Sequence, residues 1–214
     1  MKKQAVIFDM DGVITDSEPF YAAAVNVVIE PLGHRLTDED HRAIMGSSID
    51  YTWQWVIDRF ALDGDVERWK APYDLAVEEL LRRNVTPAPG LYSLLQALED
   101  RGVKIGLATS SQGNWVEAVL ARLDVTARFG AIAAAEMVRE AKPAPDLYLL
   151  AARKLGVTSQ ACLAIEDTPR GIESAQAAGM VTVAVRTEAT AHMDVSSAEH
   201  EIESLEQFEP VWLD

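Results

Sequence analysis

Asp9 and Asp11 stand two residues apart at the end of the apolar run Ala5-Val6-Ile7-Phe8. Side chains of an extended chain alternate between its faces, so carboxylates two apart project to one side and can reach a common point. Two unpaired carboxylates leaving a buried strand are costly unless a cation or ligand compensates them. A second acidic pair, Glu166-Asp167, follows another apolar run and precedes Thr168-Pro169. Thr109, Ser110 and Ser111 close a third run, offering hydroxyls and free backbone amides ahead of a helix, a natural anion cradle. Lys142 lies on a stiff loop ahead of Pro143 and Pro145. Asp167 and Thr109 could each serve as a helix cap. Capping, however, does not explain why acidic pairs end two different strands, or why a lysine precedes two prolines.

The chemistry that suits this set is phosphoryl transfer with a divalent metal. Mg²⁺ prefers oxygen ligands and few protein carboxylates. Asp9 and Asp167, with a backbone carbonyl near Asp11, are its expected ligands, and Glu166 would act directly or through water. General acid or base help supplies only about 10²- to 10⁴-fold. Most of the acceleration must therefore come from positioning and charge stabilisation, for which Mg²⁺, Lys142 and the amides around Thr109 and Ser110 are the available positive groups.

The elements that must position these residues follow from pattern. Ala5–Phe8 reads as a short buried strand, and Ser17-Glu18-Pro19 as a helix N-cap with proline in the first turn. Helical spacing then covers 20–32, 38–45, 51–60 and 66–83 without a strand-like run. Pro87-Ala88-Pro89-Gly90 closes this stretch as a stiff connection. Beyond it helices at 91–101, 115–123, 146–155 and 170–178 alternate with strands at 103–108, 131–134, 161–165 and 181–185. The expected fold is α/β, a Rossmann-like three-layer core on a five-stranded parallel sheet, with an inserted helical bundle. Residues 1–17 and 86–214 would form the core and 18–85 the insertion. In open sheets of this type ligands bind at the carboxyl ends of the strands, where all the chemistry-bearing residues fall.

DMDGVITDSEP from Asp9, ATSS from Ala108, KPAPD from Lys142 and EDTPRGIESAQAAG from Glu166 resemble, in order and spacing, the four motifs of the haloacid dehalogenase superfamily. The likeness is to its branch near β-phosphoglucomutase and the small sugar-phosphate phosphatases, and it spans the whole chain, with the helical insertion in the place of that branch's cap. The resemblance implies that Asp9 attacks phosphorus to form an aspartyl phosphate, and that Asp11 protonates the leaving alcohol and then activates water. Thr109, Ser110 and Lys142 would bind the phosphate. Asp9, Asp11 through its carbonyl, Asp167 and Glu166 would form the metal site. An acid at Asp11 favours phosphoryl chemistry over dehalogenation.

Choice of substrate is expected to lie in the cap, for which Gly46, Ser47, Ser48 and Lys70 are candidates, together with Gln112 and Asn114 in the core. Mutases of the branch carry a histidine where this chain has Tyr21, and an arginine in the first cap loop where Gly46-Ser47-Ser48 is followed by Ile49. Hydrolysis of a small phosphate monoester is therefore the first reading and phosphomutation the second. Trp53, Trp55 and Trp69 could line a sugar pocket, but Trp53 and Trp55 cannot share a helix face, so at least one belongs to packing. A phospho-accepting receiver module uses a similar set of groups, but its acceptor follows a middle strand and it has no helical cap.

Composition bounds the partners. The formal charge of −15 and the absence of a Lys/Arg cluster argue against nucleic acid and against anionic membrane surfaces. Eight acids and no Lys or Arg fall in residues 187–214, so much of the acidity lies away from the motifs. A single cysteine, Cys162, and no signal or membrane-spanning run fit a reducing cytoplasm. A monomer acting on a small phosphorylated metabolite is expected.

Overall fold

The computed structural model describes residues 2–44, 47–187 and 189–214. The chain divides into two compact units, Met1–Asp16 with Val85–Asp214, and Ser17–Asn84.

The first unit is built on six parallel strands: β1 (Ala5–Phe8), β2 (Lys104–Ala108), β3 (Ala131–Ala133), β4 (Cys162–Glu166), β5 (Val181–Val185) and β6 (His200–Ile202). Their order is β3-β2-β1-β4-β5-β6. β1 is thus central, with Ile7 opposite Gly106 on one side and Ala164 on the other. All four β1 residues are fully buried, as both faces of a parallel sheet require. The chain steps outward from β1 through β2 to β3, then crosses back to β4 and steps outward the other way. The direction reverses between β1 and β4, the crevice where such sheets bind ligands.

β6 extends the five strands expected from the sequence to six. It is three residues long, only Ile202 is buried, and it lies at the sheet's edge, so it carries no apolar run to announce it. In the second unit, α1 (Glu18–Ile29), α2 (Asp38–Ile44), α3 (Ile49–Phe60) and α4 (Val66–Asn84) match the four expected helices to within a few residues. Ser17 precedes α1 with Pro19 in the first turn, but its backbone is already helical (φ −103°, ψ −15°) and its hydroxyl makes no capping bond. The expected side-chain cap is therefore absent. The first unit's helices are α5 (Leu91–Asp100), α6 (Gly113–Arg122), α7 (Asp146–Leu155) and α8 (Pro169–Ala177). No helix among the described residues is long and apolar enough to cross a membrane.

Where the insertion begins and ends, the first unit ties its own chain together. The Thr15 hydroxyl donates to the Thr86 carbonyl at 2.8 Å, and the Ala88 amide to the Ile14 carbonyl at 2.9 Å. One sheet face is covered by α7, whose Leu147, Tyr148, Ala151 and Leu155 join Ala5, Ile7, Ala108 and Ala164 in one buried cluster.

Inside the helical unit, Trp53 on α3 is fully buried and stacks on Trp69 of α4 with centroids 5.7 Å apart, while Tyr73 meets Trp53 edge-on. Both tryptophans therefore pack the unit's interior, while Trp55 is half-buried. Truncating a buried tryptophan removes its transfer free energy and leaves a cavity. Trp53→Ala is expected to lower stability by about 3–5 kcal/mol, read from urea unfolding followed by circular dichroism.

Candidate active site

Asp9 follows β1 directly, and its amide is still bonded to the Ile165 carbonyl of β4 at 2.9 Å. This bond clamps the end of β1 to β4, whose last residue is Glu166. Asp9, Glu166 and Asp167 are all buried, and each offers a carboxylate oxygen within 4.8 Å of the others'. Lys142 supplies the cation among them, with its side chain only 7% exposed. Its ammonium donates to Asp9 Oδ1 at 2.6 Å, to Glu166 Oε1 at 2.5 Å and to the Ala108 carbonyl at the end of β2 at 2.9 Å. All three of its protons are thereby placed.

The loop that carries Lys142, whose peptide to Pro143 is cis, is gripped from α8. Arg170 Nη2 donates to the Lys142 carbonyl at 2.8 Å, and Ser174 Oγ to the Ala144 carbonyl at 2.6 Å. The two donors are four residues apart and so share one helix face. Glu166 is surrounded by donors: besides Lys142, Oε1 receives the Tyr148 hydroxyl at 2.7 Å, and Oε2 receives the Asp167 amide at 3.2 Å and the Thr168 hydroxyl at 3.3 Å. The Thr168 hydroxyl in turn accepts from the Gly171 amide at 3.1 Å and caps α8. Asp167 is therefore not the cap, and its Oδ1 is buried without a hydrogen-bond partner.

Two glycines make room for these carboxylates. Gly12 has φ of 77°, and a Cβ there would lie 2.0 Å from Asp167 Oδ2. A Cβ on Gly171 would lie 2.0 Å from the Glu166 carboxylate. The first position thus needs glycine both for its backbone conformation and for space.

Burial pushes the Asp9 carboxyl up to about 8 against the pull of Lys142, with Glu166 and Asp11 adding to the rise. Asp167 is raised to about 9 by burial and by Asp9, Glu166 and Asp11. Burial pulls the Lys142 ammonium down, but Asp9 and Glu166 outweigh it and hold it above its ordinary value. Fully ionised, three carboxylates and one ammonium leave a formal charge of −2. An orphaned buried oxygen, an all-oxygen donor set and that charge fit a hard divalent cation such as Mg²⁺.

Asp11 is half-buried and stands outside the three-carboxylate group; its Oδ2 accepts from Ser111 Oγ at 2.6 Å. Thr109 is fully buried and Ser110 is exposed. The Thr109 amide is taken by the Ala133 carbonyl at 3.0 Å and the Ser111 amide by Thr109 Oγ1 at 3.0 Å. Two of the three amides expected to be free are therefore engaged, the first because the sheet's hydrogen bonding runs one residue past β2, the second by the neighbouring threonine side chain. Gln112 and Asn114 are half-buried at the start of α6, where the Gly113 amide donates to Glu136 at 3.2 Å.

In the helical unit, Ser47 Oγ donates to the Ile44 carbonyl at 2.7 Å, and Ser48 caps α3 by accepting from the Tyr51 amide at 3.2 Å. Lys70 lies between Asp50 and Glu67, each at 2.6 Å, so its charge is engaged within the helical unit. Gly46 lies outside the described residues. Ser111, expected in the anion cradle, instead donates to Asp11, while Tyr148 and Arg170 are not marked by the sequence as site residues. Tyr148 carries the period of an ordinary core helix residue, and nothing in its spacing marks the hydroxyl.

The family model of haloacid dehalogenase-like hydrolases matches residues 6–185. The fructose-1-phosphate phosphatase of Escherichia coli is 36% identical over 184 residues, 85% of this chain and 95% of that protein. The β-phosphoglucomutase of Bacillus subtilis is 30% identical over 195 residues, 85% of this chain and 83% of that protein. Among solved structures, a mutant CbbY from Rhodobacter sphaeroides in complex with xylulose-(1,5)bisphosphate superposes with a TM-score of 0.83 at 25% identity, covering 100% of both chains. With four motifs in order, a sheet that reverses direction beside them and these relatives, the chain belongs to the haloacid dehalogenase-like hydrolases.

Proposed function

We propose that this protein is a Mg²⁺-dependent phosphatase that hydrolyses a small phosphate monoester, of the sugar-phosphate class, through a phosphorylated Asp9. The observation that carries the reading is the buried Asp9–Lys142–Asp167 cluster with the half-exposed Asp11 two residues along the same chain. The names of the relatives support the substrate class.

In the first step a carboxylate oxygen of Asp9 forms a bond to phosphorus as the bond from phosphorus to the ester oxygen breaks. The Asp11 carboxyl gives its proton to the departing alkoxide. In the second step the Asp11 carboxylate takes a proton from water, whose oxygen bonds to phosphorus and releases Asp9 and inorganic phosphate. Ser111, donating to Asp11 Oδ2, orients that carboxyl for both proton movements. Lys142, already against Asp9 Oδ1, stabilises the phosphoryl charge where it is transferred. The Thr109 hydroxyl and the exposed Ser110 complete the phosphate site. Mg²⁺, held by Asp9, Asp167 and the Asp11 carbonyl, would supply electrostatic neutralisation of the phosphoryl oxygens.

The test is a panel of phosphorylated sugars and p-nitrophenyl phosphate, with phosphate release measured with and without Mg²⁺. Activity is expected to require Mg²⁺ and to vanish in Asp9→Asn. Asp11→Asn is expected to lose about 10²- to 10⁴-fold in kcat. Full activity in Asp9→Asn would remove the nucleophile assignment. Isomerisation of a hexose 1-phosphate in the presence of a bisphosphate primer would instead make the protein a mutase.

Metal binding should also show in stability. The Asp9 and Asp167 carboxyls are raised in the folded, metal-free protein, so their contribution is fully present below about pH 4 and is lost as pH rises through about 8 to 9. The metal-free Tm should therefore fall from about pH 5 to 9, and fall less steeply in Asp167→Asn. Added Mg²⁺ should raise Tm more at about pH 8 than at about pH 6, because the ligands must be deprotonated. Differential scanning calorimetry across this range checks both slopes.

A further inference from the structure

The three clustered carboxylates differ in what already occupies them. An ionised carboxylate has about four acceptor positions. On Glu166 four donors fill them: Lys142 and Tyr148 on Oε1, the Asp167 amide and the Thr168 hydroxyl on Oε2. Gly171, where even a methyl group would overlap the carboxylate, leaves it little room to turn on the remaining side. Asp167, its neighbour, has an oxygen with no partner at all. Proximity alone would rank the two equally as metal ligands; hydrogen-bond occupancy separates them.

We infer that Tyr148 is a positioning residue that fixes Glu166 as the anchor of Lys142 and keeps it out of the metal's coordination shell. The Tyr148 hydroxyl is fully buried on α7, 2.7 Å from the oxygen that also receives Lys142, and its ring lies 5.0 Å from the Lys142 ammonium. One side chain thus touches both members of the ion pair. Removing the hydroxyl frees an acceptor position on Oε1, the oxygen Glu166 would otherwise turn toward a cation. Asp9 and Asp167 are then the carboxylates that hold the metal, and Glu166 acts on Lys142. The inference rests on the metal-dependent reading above, and concerns this chain's own residues, so it can be tested without turnover.

The test is calorimetric titration of Mg²⁺ into the full chain without any phosphate ester, for wild type, Tyr148→Phe, Glu166→Gln and Asp167→Asn. Asp167→Asn is expected to weaken binding by at least about tenfold. Glu166→Gln should weaken binding clearly less than Asp167→Asn, since the carboxylate it replaces is held by Lys142 and Tyr148 and not by the metal. Tyr148→Phe should tighten binding by about fivefold, the equivalent of one competing hydrogen bond to the carboxylate. A merely structural role for Tyr148 could only weaken binding. Glu166→Gln losing as much affinity as Asp167→Asn, or Tyr148→Phe binding no more tightly than wild type, would overturn the inference. Should Tyr148→Phe fail to fold, the comparison of Glu166→Gln with Asp167→Asn still decides whether Glu166 is a ligand. If Mg²⁺ binds in the expected order but no ester is hydrolysed, the phosphatase reading falls and the assignment of Glu166 stands.

Discussion

The ammonium of Lys142 is the group around which the rest of the site is arranged. It sits in the protein interior with three acceptors from three different strands' ends: Asp9 after β1, the Ala108 carbonyl of β2 and Glu166 of β4. Taking such an ion out of water costs several kcal/mol even after relaxation, and only good geometry with every proton placed offsets it. That demand explains the support around it. The loop carrying it is held by Arg170 and Ser174, its partner Glu166 is held by Tyr148 and Thr168, and Gly12 and Gly171 leave the space that the acids occupy.

The location follows from topology. The chain reverses direction between β1 and β4, so the ends of those strands are neighbours with no crossover helix between them. The backbone bond from Asp9 to Ile165 fixes their register at that point. The carboxylates of Asp9 and Asp167 can then meet although they are about 160 residues apart in sequence, a separation that the short motifs alone do not convey.

Much of this could be read from the residues. The apolar runs, the alternation of helix and strand and the acidic pairs at strand ends lead to the fold and to Asp9, Glu166, Asp167 and Lys142. What could not be read falls into two kinds. β6 is too short, too polar and too near the edge to show a pattern, because an edge strand buries one side at most. Tyr148 and Arg170 act through a single polar atom at the end of side chains whose spacing serves packing or solvent exposure. Their contribution depends on which oxygen they meet, and that is a property of the folded chain. The Thr109 amide shows the reverse: a sequence suggests that groups past a strand are free, whereas the ladder continues one residue farther. Likewise Lys70 is a lone cation in sequence but sits between two carboxylates, Asp50 and Glu67, in the fold.

The bonds from Thr15 to Thr86 and from Ala88 to Ile14 mean that the polypeptide leaves the sheet-bearing unit and returns to it at one place. To that unit, the 68 residues from Ser17 to Asn84 are equivalent to a long surface loop whose ends are already joined. The entropy of closing such a loop grows only slowly with its length, by about 0.6 kcal/mol for each doubling. The sheet-bearing unit is therefore nearly indifferent to how long its insertion is. A longer or shorter segment between the same two ends would leave the pairing of Lys142 with Asp9 and Glu166 in place.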